Sequence, residues 1–161
     1  MRKPPPATSP ADESSLQLPS RITVEQRNPG TLQNVKGAAV YILRLPSSSP
    51  ALTSQSLRNH IIAELNAHLG VLRTSAGSRL ILTTRLLPEF GVVEPEIAAT
   101  ACLRDLTLHQ LANQHEMEVE EFSSIVNSVT DGCGRLVLVK KPETWNDATI
   151  AFEIQYQDYA D

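Results

Sequence analysis

Basic charge is in short supply in this sequence. Its 14 Lys and Arg are outnumbered by 18 Asp and Glu, for a net charge of −4 at pH 7. No Lys/Arg cluster overrides that balance, which excludes a nucleic-acid surface built on a basic patch. Cysteine is scarce as well. Cys102 and Cys133 stand far apart, so a disulfide framework is excluded and free thiols are expected. No apolar run reaches membrane-spanning length. The start, Met1-Arg2-Lys3-Pro4-Pro5-Pro6, lacks the apolar core of a signal peptide. No His-Glu-x-x-His spacing occurs; His60 and His68 fall on a helix among polar neighbours, and no metal site is expected. A cytoplasmic protein with neither a membrane nor a nucleic-acid partner is the expectation.

What is present suffices for one domain with a modest core, since 41% of the 161 residues are apolar. Residues 1–19 are rich in Pro, Ser and charge and read as a disordered leader. Residues 20–161 read as the folded domain. Within it Arg21–Glu25 reads as a short strand, closed by Asn28-Pro29-Gly30. Gly37–Arg44 is a near-continuous apolar run, the pattern of a strand covered on both faces of a parallel sheet. A helix is predicted from Ser54 to Leu69, capped by Thr53 and ended by Gly70. Its Leu57, Ile61, Leu65 and Leu69 form one stripe.

Leu80–Leu87 reads as a second buried strand. A helix over Glu96–Asn113 is expected to carry Ala99, Leu103 and Leu106 on one face, with Cys102 as a small core residue. Another, Glu118–Ser128, carries Val119, Phe122 and Ile125. Strands Arg135–Lys140 and Thr149–Tyr156 end the chain, the latter burying Ile150, Phe152, Ile154 and Tyr156. Alternating strands and helices predict an α/β sheet with right-handed crossovers.

Several landmarks recur in a known order: Val35-Lys36-Gly37 before Val40–Arg44, Gly77-Ser78-Arg79 before Leu80–Leu87, then Arg104-Asp105-Leu106-Thr107-Leu108, Leu111-Ala112-Asn113, His115-Glu116 and Glu120-Glu121-Phe122. From Arg21 to Tyr156 the chain resembles the C-terminal part of the S-adenosylmethionine-dependent O-methyltransferases of the plant-caffeate and fungal secondary-metabolite type. The resemblance implies an incomplete Rossmann-like class I methyltransferase sheet, mixed and mostly parallel, with flanking helices. It also implies that the family's first two strands and Gly-rich cofactor turn have no counterpart in this sequence. The family's cofactor-binding aspartate falls at Asn28.

The chemistry implied by the resemblance is depleted too. The family's catalytic histidine falls at Ser48, whose unactivated hydroxyl is far too weak a base for a phenol or enol proton. Of the two family glutamates that orient that base, one falls at Thr84; the other is kept as Glu116. His109, His115 and Glu116 surround the place of the family's substrate pocket and are the candidate acid/base groups. Loss of the middle strands leaves the inner edge of Gly37–Arg44 bare, a hazard unless something pairs with it. Ile22–Glu25, a second copy or another protein would each serve.

Two functions follow as expectations. The first is a catalytically incomplete accessory subunit, binding no cofactor alone, in a complex with an S-adenosylmethionine-dependent methyltransferase or related biosynthetic enzyme of secondary metabolism. The second is a small stand-alone isomerase or cyclase that reuses the old pocket through Glu116, His115 and His109. Ser47-Ser48-Ser49 reads as a solvated turn, Ser78 lacks a nucleophile-elbow pattern, and Cys133 has no cation to activate it.

Overall fold

The computed structural model describes residues 23, 25–75, 77–89, 91–140 and 149–159. The expected leader 1–19 lies outside the described residues, as do Arg21, Ile22 and Val24 of the first expected strand; Thr23 and Glu25 belong to no strand. The order is β1 (Val40–Arg44), α1 (Ser54–Thr74), β2 (Arg79–Arg85), α2 (Pro95–Ala112), α3 (Val119–Ser128), β3 (Gly134–Lys140) and β4 (Thr149–Asp158). The strands form one mixed sheet in the order β1-β2-β4-β3. β1 and β2 are parallel, Ile42 facing Ile81; β4 is antiparallel to both neighbours. The sheet is therefore mixed as expected, with a smaller parallel share than a mostly parallel sheet.

α1 starts where Thr53 accepts a hydrogen bond from the Ser56 N–H at 3.1 Å, satisfying one of the first-turn donors. The expected stripe is buried along its whole length. Gly70 does not end the helix, which runs to Thr74. The glycine keeps helical backbone, and Val71 and Leu72 beyond it are buried. Burying two such side chains outweighs the ~1 kcal/mol cost of one helical glycine.

α3 buries Val119, Phe122 and Ile125 as expected, with the Phe122 and Phe152 rings 4.8 Å apart. Tyr41, Leu80, Leu82, Leu136, Ile150, Phe152 and Ile154 join the inner faces of α1 and α3 in a single core. Both helices thus cover the same side of the sheet. On the other side Val40 and Ile42 are 52% and 77% exposed, so β1 is covered on one face, not two. Among the described residues no strand pairs with its outer edge.

α2 reverses the expected face. Leu103 and Leu106 point to solvent, as do Ala99 and Cys102, whereas Ala101 and Leu108 are buried. The inward positions also carry Arg104 and Asp105, which are tied to the segment after the helix. Polar anchoring, rather than an apolar stripe, docks this helix. Asn113 closes it in the left-handed region, φ 52°, its N–H donating to the His109 carbonyl.

The turn before β3 is built on Asp131, whose Oδ1 accepts from the N–H groups of Cys133 and Gly134 and from the Tyr156 hydroxyl at 2.7 Å. Those bonds, the Tyr156 one above all, lower the Asp131 pKa. Desolvation first and the bond to Asp131 second push Tyr156 up to about 12.

Candidate functional site

Ser47-Ser48 after β1, Arg85 at the end of β2, the Leu103–Leu111 stretch of α2 and Glu116 enclose a cleft of about 380 Å³. That is within the size range of small-ligand pockets, and its lining is dominated by Leu103, Leu108 and Leu111. Ser48 and Glu116, the positions to which the methyltransferase resemblance assigned the base and its orienting glutamate, both line it.

Glu116 is buried and doubly held. Its oxygens accept from Arg104 Nε at 2.9 Å and Nη2 at 2.7 Å, a bidentate pair that fixes the carboxylate plane. Its backbone N–H donates to Asp105 Oδ1 at 2.7 Å. Ser48 has no hydrogen-bonded histidine beside it among the described residues.

His109 and His115 do not line the cleft. They stack on each other outside it, ring centroids 4.6 Å apart, with His115 Nδ1 3.6 Å from Asp105 and largely exposed. Thr84 faces the buried layer with Leu80 and Leu82 and likewise does not line the cleft. Asn28 is exposed at a Pro29-Gly30 turn, its carbonyl accepting from the Thr31 N–H and hydroxyl. Ser78 is buried and donates to the Ala38 carbonyl at 2.7 Å, a structural role. Cys133 and Cys102 are both exposed. Among the described residues no group of three His, Cys, Asp or Glu side chains could hold a metal ion. No described helix is long and apolar enough to cross a membrane.

A second polar cluster escaped the sequence reading. Buried Glu64 of α1 accepts from Arg27 Nη2 at 2.8 Å and from the Gly30 N–H at 2.6 Å, clasping residues 27–33 onto the helix. One turn on, His68 Nδ1 donates to the Glu64 carbonyl at 2.8 Å, leaving Nε2 to accept from Gln33 at 3.4 Å. Burial, the largest cause, lowers the His68 pKa, so the ring is neutral. Glu64 lies one turn after His60 and beside Ile61 and Leu65. A charge that close to an apolar stripe is the signal that a buried partner exists.

No family model matches the chain. It is 44% identical over 146 residues to the monodictyphenone cluster transcriptional coactivator mdpA of Emericella nidulans, covering 91% of this chain and 30% of that protein. It is 47% identical over 150 residues to the dothistromin biosynthesis regulatory protein aflJ of Dothistroma septosporum, covering 93% and 33%. The chain thus spans about a third of the length of the curated relatives it matches. Among solved structures it is similar to a pericyclic reaction enzyme, TM-score 0.54 at 18% identity, over 81% of this chain and 29% of that one. LepI in complex with SAM matches with the same TM-score, identity and coverage. The fold is methyltransferase-like.

Proposed function

We propose that this chain is a non-catalytic, methyltransferase-like accessory protein of a fungal secondary-metabolite gene cluster, acting as a transcriptional coactivator. The observation that carries the reading is its 44–47% identity, across nine-tenths of its length, to proteins named as cluster coactivator and biosynthesis regulator. The cleft supports it: the base position is a serine, and the remaining glutamate is locked to Arg104. A chain of net charge −4 is suited to act through protein contacts rather than by gripping DNA. Coactivation takes place in the nucleus, so the cytoplasm becomes the site of synthesis rather than of action.

The test is deletion of the gene in its producing fungus, with transcripts of the neighbouring biosynthetic genes measured before and after re-expression. The coactivator reading expects the transcripts to fall together and to return with the wild-type chain.

A second reading, a heteromer with an S-adenosylmethionine-dependent methyltransferase, is favoured by the strand edge of β1, which no described strand pairs. It expects co-purification with that enzyme and cofactor binding by the complex. In both readings the isolated chain takes up no S-adenosylmethionine, which titration calorimetry checks directly.

A further inference from the structure

The side of the sheet that no described residue covers has its own composition. Strand alternation places Val40, Ile42 and Arg44 of β1 beside Arg79, Ile81, Thr83 and Arg85 of β2. β4 contributes Ala151 and Glu153 to this side, and β3 contributes Arg135 and Val137. Ile42 stands directly opposite Ile81. With Val40 they make an apolar centre whose most exposed member, Ile42, is 77% accessible; Val137 lies beyond it, across Glu153 and Gln155 of β4.

The charge around that centre runs opposite to the charge of the chain. Glu153 is the only acidic residue on this side of the described strands, and Arg79 holds it at 2.7 Å. Arg44 and Arg85, at the C-terminal ends of the two parallel strands, and Arg135 at the far end are exposed. None of these three has an ion-pair partner among the described residues. A chain with four more acidic than basic residues therefore concentrates free arginines around one apolar sheet face.

We propose that this face is a docking site for an amphipathic helix whose apolar stripe is flanked by acidic residues. The stripe would lie on Ile42, Ile81 and Val40, with its carboxylates reaching Arg44 and Arg85. Four strands about 4.8 Å apart make a floor roughly 19 Å wide, and a helix is about 10 Å across, so the face has room for one helix over β1 and β2 without touching β3. Arginine is suited to the role because its planar fork binds carboxylates two bonds at a time. The charge sets the sign of the partner, and the apolar centre supplies the affinity. The inference depends on the geometry of the sheet alone and stands or falls separately from the coactivator reading.

The experiment uses the whole chain and two labelled, helix-stapled peptides of about 14 residues, roughly 21 Å long. They share one leucine stripe; glutamates flank it in one and lysines in the other. Fluorescence anisotropy is expected to show the glutamate peptide binding about tenfold or more tighter than the lysine peptide, with affinity falling as salt rises. Ile42→Asp, at an exposed position, should abolish binding. Arg44→Glu with Arg85→Glu should reverse the preference between the peptides. Equal binding of both peptides, binding of neither, or binding that survives Ile42→Asp overturns the proposal. Sedimentation of the free chain decides the competing occupant: a dimer that Ile42→Asp splits assigns the face to a second copy and also overturns it.

Discussion

Arg104 reaches out of α2 to grip both oxygens of Glu116, at 2.9 and 2.7 Å, and that pair sits at the wall of the cleft. It couples the one acidic group retained at a methyltransferase-like position to the docking of a helix whose Leu103 and Leu106 face solvent. In this chain Glu116 is a fastener.

Arg104→Ala should therefore destabilise the fold rather than merely alter the cleft. It leaves a carboxylate 8% exposed without its partner, at a cost of about 2 kcal/mol, read as a lower urea midpoint at unchanged slope. Glu116→Gln keeps one acceptor and should cost less. A double-mutant cycle with Arg104→Ala should return a coupling of about 1 kcal/mol or more.

The clasp predicts a second local effect. Arg27→Ala removes the cation from buried Glu64 and should cost about 2 kcal/mol. Amide exchange should rise first at the Gly30 N–H, because that bond depends on the same carboxylate.

Stability should fall with acid through His68. Its folded pKa is lowered from 6.5 by burial, so above 6.5 the ring is neutral both folded and unfolded, and stability is at its full value. As pH drops below 6.5 the unfolded chain takes up the proton first, and stability declines until the lowered folded value is reached. The slope this group adds is at most about 1.4 kcal/mol per pH unit. His68→Gln should remove that slope from urea titrations run between neutrality and mild acid.

Gly134→Ala should be among the costlier substitutions in the sheet. A Cβ there would collide with the Gln157 carbonyl and lie 2.6 Å from the Tyr156 hydroxyl, and the first of these is backbone that cannot give way. A loss of about 2–3 kcal/mol is expected, with the Tyr156 bond to Asp131 broken as well. Tyr156→Phe tests that bond alone: the Asp131 carboxyl, lowered chiefly by Tyr156, should titrate at higher pH by carbon NMR.

Much of the fold was legible because its signals are local and periodic. Leu57, Ile61, Leu65 and Leu69 repeat at helical spacing, and Ile150, Phe152 and Ile154 alternate. In both, the face that looks apolar is the face that is buried. α2 shows where this fails. Its Ala99-Leu103-Leu106 stripe is equally periodic but faces out, because Arg104 and Asp105 find partners on Glu116, a residue too far along the chain for any spacing rule to pair with them.

β1 misled for a related reason. An apolar run signals burial on two faces, yet Ile42 is covered by nothing among the described residues. The cleft was half legible: Ser48 and Glu116, which the resemblance pointed to, both line it, but His109 and His115 stack outside it. Glu64 and Arg27 went unread because they are 37 residues apart and meet only once α1 has folded.

The most direct measurement of the central claim is transcription of the surrounding biosynthetic genes in a deletion strain re-expressing either the wild-type chain or Glu116→Gln. A non-catalytic coactivator predicts that the deletion silences those transcripts and that both versions restore them. Transcripts that stay at wild-type levels while only the final product disappears, with Glu116→Gln failing to restore it, would contradict the account and make the chain an enzyme.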